Sequence, residues 1–211
     1  MKIRHARLAI AIATALTAAA LTTPARAADG WIVRAGVTVV DPKRDNLSLS
    51  ATQELQVADH TGFTFDVTKM LTKHWGVELL AAYPYDHDLR VQTPNGTTRL
   101  GQVTHLPPTL SLQYHLNPDG RFRPYAGVGV NYTLFSDEEP SALKLDDSFG
   151  VAFGGGFDLA LGERLLLNVA VKWIDINADA TLGGAPVGTV AIDPLVYSLN
   201  LGWRFGRAAP V

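Results

Sequence analysis

The sequence predicts an all-β fold, an eight-stranded antiparallel up-and-down transmembrane β-barrel, and three observations carry that expectation. Apolar residues recur with period two in eight stretches, the spacing at which a strand sends alternate side chains to opposite faces. After the first 27 residues, no charge-free apolar run reaches the ~20 residues that a membrane helix needs. Connections between the eight stretches alternate short and long, as in outer-membrane barrels with short periplasmic turns and long external loops.

Composition bounds the alternatives. The chain has 211 residues, 47% hydrophobic and 18% charged, with no cysteine, so disulfide scaffolds, thiol catalysis and cysteine-based zinc sites are excluded. Lys+Arg 18 against Asp+Glu 20 leaves a net charge of -2, without the basic excess of a nucleic-acid binder. At the N-terminus, Lys2, Arg4 and Arg7 precede an uncharged apolar stretch from Leu8 to Leu21, and Ala25 and Ala27 occupy A-x-A positions. Residues 1–27 therefore read as a cleaved signal peptide and residues 28–211 as one exported barrel domain. Loss of Lys2, Arg4, Arg7 and Arg26 from the 18 basic residues leaves 14 against 20 acidic ones, so the mature chain is acidic.

The stretches follow in order. The first sets Trp31, Val33, Val37 and Val39 against Arg34, Gly36 and Thr38, and the second sets Phe63, Phe65 and Val67 against Thr64, Asp66 and Thr68. The third has Val77, Leu79, Ala81 and Tyr83 opposite Gly76, Glu78 and Leu80, and the fourth Leu106, Leu110, Leu112 and Tyr114 opposite Thr109, Ser111, Gln113 and His115. The fifth sets Phe122, Ala126, Val128, Val130 and Tyr132 against Tyr125, Gly127, Gly129 and Asn131, and the sixth Phe149, Val151, Phe153, Phe157 and Leu159 against Gly150, Ala152, Gly154, Gly156 and Asp158. The last two carry Leu165, Leu167, Val169, Val171 and Trp173 opposite Asn168, Ala170 and Lys172, then Leu195 to Phe205 on odd positions opposite Ser198, Asn200, Gly202 and Arg204. Connections over residues 72–74, 117–121 and 162–164 are short, whereas 41–60, 84–104, 136–147 and 176–193 are expected as long external loops.

Alternation alone does not say which face is inside. An eight-stranded interior is only just wide enough for side chains to fill, so the glycine- and alanine-rich face fits the lumen and the bulky face fits lipid. Trp31, Tyr83, Tyr114, Tyr132, Trp203 and Phe205 stand near strand ends, where interfacial aromatic girdles belong. With that orientation Arg34, Lys172 and Arg204 meet Asp66, Glu78 and Asp158 in the lumen and form a charge network that holds the barrel shut. Turned to lipid, each basic residue near the midplane would cost about 2 to 4 kcal/mol.

Several motifs, taken as an ordered set, resemble the OmpW family of outer-membrane proteins, AlkL included. They are Trp31-Ile-Val-Arg-Ala-Gly36, Gly76 to Ala82 leading to Pro84, His105-Leu-Pro-Pro-Thr109, Phe122-Arg-Pro-Tyr125 with Gly127, Gly129, Asn131 and Tyr132, Asp175-Ile176, and Asp193-Pro194 before a strand ending Trp203-Arg-Phe205. The resemblance implies an outer-membrane barrel in contact with lipid and lipopolysaccharide, with a narrow, largely hydrophobic passage that admits small hydrophobic solutes. It also implies a terminal aromatic residue read by the barrel assembly machinery; here residues 206–211 follow Phe205.

Within that frame Leu80 is the large aliphatic residue on an inward stretch and either lines the passage or merely fills a small barrel. Tyr125, with Gly127 and Gly129 leaving space, and Lys172 are the other passage residues; an unneutralised Lys172 would favour amphipathic or anionic solutes. Pro107 and Pro108 cannot donate ladder hydrogen bonds, so their strand bulges at the external rim or parts from its neighbour as a lateral opening. The resemblance favours the opening. The triple glycine at 154–156 marks tight curvature or close approach of a side chain. No enzyme, metal or cofactor is expected. His60, His87 and His105, with Asp86, Asp88 and Ser136, belong near external loops, but no Gly-x-Ser-x-Gly elbow or HExxH helix accompanies them. Asp86-His87-Asp88 and the acidic run Asp137, Glu138, Glu139, Asp146, Asp147 read first as solvated surface charge. A non-conducting receptor, adhesion or stress-resistance barrel acting through its loops is the alternative, and a soluble lipocalin-like carrier a third.

Overall fold

The computed structural model describes residues 30–50, 52–82, 85–140 and 142–206. The signal segment, Tyr83 and the tail beyond Gly206 lie outside those residues. The described chain is built of strands: β1 (Gly30–Asp41), β2 (Leu47–Ser50), β3 (Gln53–Val57), β4 (His60–Met70), β5 (Trp75–Ala82), β6 (Tyr85–Thr93), β7 (Gly96–Leu106) and β8 (Thr109–His115). There follow β9 (Phe122–Glu139), β10 (Leu143–Leu145), β11 (Ser148–Ala160), β12 (Leu165–Ile174), β13 (Asn177–Leu182), β14 (Ala185–Ala191) and β15 (Leu195–Gly206).

Eight of them close on themselves in the order β1, β4, β5, β8, β9, β11, β12, β15, with every neighbour antiparallel and β15 returning to β1. Closure removes the unpaired edges that would otherwise face hydrocarbon, where an unmet backbone N–H or C=O is costly. The alternation resolves as the orientation argument requires. Leu201 is 58% and Phe149 70% exposed, whereas Arg34 is 0% exposed. Leu110, Leu112, Val128, Val130, Phe153, Leu199 and other bulky residues likewise face outward. Trp75 packs edge-on against Tyr114 at 4.9 Å, and the Lys69 ammonium sits 4.8 Å above the Trp31 ring. These contacts fit an interfacial belt, where aromatic bodies and cationic tips meet headgroups.

All four connections expected as external loops are strands over more than half of their length. β2, β3, β6, β7 and the outer part of β9 continue one side of the ring, while β10, β13 and β14 form a separate three-stranded sheet. Hairpin chemistry explains this. Leu182 pairs with Ala185 across Gly183 and Gly184, both at positive φ (59° and 85°), as a two-residue primed turn demands. Thr93 pairs with Gly96 across Pro94 and Asn95. Between the two outer sheets lies an apolar core of Leu55, Val57, Leu89, Val103, Phe135, Leu145, Ile176 and Val190, among others.

Candidate functional site

The lumen is a stack of layers. At the periplasmic end Ile32, Met70 and Leu166 pack together as an apolar plug. The adjoining turn at 117–121 is tied to the wall by two guanidinium groups: Arg123 Nε donates to the Gly120 carbonyl (2.6 Å) and Arg204 Nη1 to that of Pro118 (3.4 Å).

Above the plug stands Arg34, brought opposite Asp66 by the β1–β4 register. Its fork donates Nε and Nη2 to the two oxygens of Asp158 (2.9 and 2.7 Å) and Nη1 to Asp66 Oδ1 (2.8 Å) and Thr68 Oγ1 (3.1 Å). Bidentate pairing matches the planar guanidinium to a carboxylate, and the extra acceptors satisfy it in a dry interior. Asn168 Nδ2 donates to Asp158 Oδ1 (2.9 Å) and to the Tyr125 hydroxyl (3.0 Å), and Asn200 Nδ2 to Asn168 Oδ1 (3.0 Å). The Arg34 guanidinium carbon lies 5.3 Å from the Tyr125 ring centroid. Nearby, Glu78 pairs with the Lys172 ammonium and accepts from Gln113 Nε2. Thr38 adds a hydroxyl cluster with Thr64 (2.6 Å) and Ser198 (2.9 Å).

The inward glycines make room for these groups. A Cβ on Gly154 would stand 2.5 Å from Lys172 Cγ, and one on Gly156 would stand 3.0 Å from the Tyr125 hydroxyl. Close approach of the Lys172 side chain is therefore the reason for glycine at 154, whereas at 156 the β12 backbone at Val169 and Ala170 lies nearer still than the Tyr125 hydroxyl.

Outward of the polar layers the lining changes. A small cavity of about 10 Å³ is bounded by Val40, Leu80, His105, Pro107, Ile174 and Val196, with Thr64, Ala82, Ile176 and Pro194. A second, equally small, lies lower, against Tyr125, Gln113 and Lys172. The three expected passage residues are thus divided: Leu80 lines the apolar cavity, while Tyr125 and Lys172 line the polar one. Of the six expected network charges, Arg34, Asp66 and Asp158 form one set, Glu78 and Lys172 another, and Arg204 joins neither by a direct ion pair among the described residues. The sequence reading put Asn168, Thr38 and Ser198 on the inward face without a role. Their only signal was polarity at lumen parity in strands otherwise bulky and apolar.

Pro107 and Pro108 fall where the wall is interrupted. The β5–β8 ladder ends at Leu80 with Thr109, and the β6–β7 ladder begins at Tyr85 with His105. On the other flank the Pro108 carbonyl accepts from the Tyr132 amide (3.1 Å) and from Asn131 Nδ2 (3.1 Å), so β9 holds the proline segment. The histidines expected at the rim turn inward: His87 and His105 are buried and stacked, with ring centroids 4.6 Å apart at 11°. Asp86 instead accepts from Thr104 Oγ1 (2.6 Å) and Asp88 from Arg99 Nε (2.7 Å), so Asp86, His87 and Asp88 do not converge. The Arg99 hydrogen bond holds the Asp88 carboxyl below its usual range.

The model of the OmpW family matches residues 28–205. Outer membrane protein W of Vibrio cholerae is 36% identical over 193 residues, covering 83% of this chain and 88% of that protein. Outer membrane protein AlkL of Ectopseudomonas oleovorans is 32% identical over 161 residues, covering 72% and 69%. Among solved structures, the outer membrane protein OprG from Pseudomonas aeruginosa superposes with a TM-score of 0.74 at 34% identity, covering 86% of this chain and 98% of that one.

Proposed function

This chain belongs to the OmpW family of outer-membrane proteins, and on that premise we propose that it is a passive channel for small hydrophobic molecules, released sideways into the bilayer beside Pro107 and Pro108. A tightly packed polar lipopolysaccharide layer slows apolar solutes, and a protein route past it needs no chemistry, only a surface that an apolar molecule wets better than water does. The observation that carries the reading is the apolar cavity next to the interrupted ladder. Leu80, Val40 and Val196 face it from the ring, and Pro107 borders both it and the gap. Below it the Arg34 and Lys172 layers favour diversion over onward passage, because an apolar solute would have to strip partners from buried ions. Lys172 is already neutralised by Glu78, which supports an apolar rather than an anionic solute.

The test replaces Pro107 and Pro108 with Val and Thr, residues that fit a pleated strand and, unlike proline, carry a backbone N–H. Uptake of a hydrophobic fluorescent probe by intact cells should fall to that of cells lacking the barrel. Undiminished uptake would remove the lateral route.

A further inference from the structure

The outer lumen carries a feature that transport of an apolar solute does not require. Three imidazoles form a row: His60 to His87 at 5.5 Å between centroids, and His87 to His105 at 4.6 Å. His60 is part-exposed, His87 and His105 are buried, and the row runs inward to the cavity wall beside Pro107. The rings belong to β4, β6 and β7, so the row spans the start of the β6–β7 hairpin where it leaves the ring. His87 Nδ1 donates to the Ala58 carbonyl (2.6 Å), tying the row to the β3–β4 connection, and His105 packs against Phe135 of β9 at 6.0 Å.

We propose that this histidine row is an acid-responsive latch that holds the β6–β7 hairpin against the ring at neutral pH and loosens it, widening the exit beside Pro107, when the outside medium becomes acidic. The latch rests on the lateral-exit reading above. Its chemistry is that of stacked neutral rings: they pack as apolar plates, but two protonated neighbours in a dry interior repel and each demands solvent.

The groups around the row decide which ring governs. Asp59 and Asp86 face His87 and favour its charged form, though burial outweighs them and holds it below the ordinary imidazole range. Burial is the largest effect on His105, His87 and His60 add to it, and its imidazole is held well below that range. It is the sole titratable group among the residues lining the apolar cavity. Asp88 is engaged with Arg99 and Arg90, and Asp147 on the β9 side accepts from the Phe135 amide (3.3 Å). A histidine depressed in the closed form is neutral there and protonates first in the open, hydrated form. The closed form is therefore unpenalised above the ordinary value of about 6.5, and loses stability as pH falls below it. His105 alone shifts the open-to-closed ratio by up to about tenfold per pH unit.

Hydrogen exchange of the full mature barrel in phosphatidylcholine/phosphatidylglycerol nanodiscs reads the latch without any solute. Corrected for intrinsic exchange, protection of β6–β7 amides such as Leu89 and Val103 should fall about fivefold from pH 6.5 to 5.5, while β1–β15 amides hold. His105→Phe, which keeps a ring against Phe135, and His105→Gln should both shrink the fall at least twofold, with a heat-modifiable gel shift showing that each is folded. Probe uptake in the same interval should rise for the natural chain only. Flat protection in the natural chain, an unchanged fall in both variants, or measurable uptake that does not vary with pH would overturn the proposal. A pH-dependent loss of protection without uptake at any pH would support the latch as a hinge and reject the passage.

Discussion

The ring in the membrane and the extension above it are made from the same chain and are built on opposite plans. In the ring, bulky residues such as Val128, Phe153 and Leu199 face out and a hydrogen-bonded polar stack around Arg34 faces in. In the extension the inside is Leu89, Val103, Ile176 and Val190, each fully buried. The change occurs within single strands. β1 turns Arg34 and Thr38 inward and then Val40, while the chain from β12 onward turns Asn168 and Lys172 inward and then Ile174 and Ile176. Which face is apolar thus depends on the solvent at that height. Lipid rewards an apolar exterior and leaves the interior to hydrogen bonding, whereas water forces the usual arrangement. The apolar cavity lies at the changeover.

The contrast can be broken most strongly in the ring. Arg34→Met leaves Asp66 and Asp158 buried without their cation, and should cost about 3 to 5 kcal/mol, read as a lower temperature for the heat-modifiable gel shift. Adding Asp158→Asn should recover part of that loss, which would show that pairing rather than volume holds the layer. A smaller and differently placed effect is expected from Leu89→Ala, at about 2 to 4 kcal/mol. It should appear as faster proteolysis of the outer hairpins with the gel shift unchanged; a lowered gel-shift temperature instead would mean that the two regions melt as one. Least of all, Lys73→Ala at the periplasmic turn removes an exposed pair with Asp119 and should stay within about 1 kcal/mol.

The ring was legible in the sequence because a bulky outward set recurs in all eight stretches, and charges such as Arg34 and Glu78 have only one tolerable side. The extension was not, because its signal is shorter and uses a different rule. The Gly183-Gly184 pair between Leu182 and Ala185 is a hairpin marker, yet it sits in a segment whose length suggested a loop. Val40, Ile174 and Val196 continue the lumen parity of Thr38, Lys172 and Ser198, so a reading by parity alone does not register the switch from polar to apolar. Arg204 was assigned to the charge layer by parity as well. Parity fixes the face but not the height along the axis, and the register puts Arg204 beside Ile32 at the periplasmic end.

The pairing of β1 with β15 from Gly30–Gly206 to Asp41–Leu195 sets an order of events. The first strand to enter the periplasm finds its second neighbour only when the last strand has been delivered, so each growing chain travels with two unsatisfied margins. Contacts between the two extremes of a chain are the slowest kind to form. Whatever escorts the nascent polypeptide has to mask those margins until the twelve closing residues arrive, and truncation anywhere before them leaves an open sheet that no bilayer tolerates.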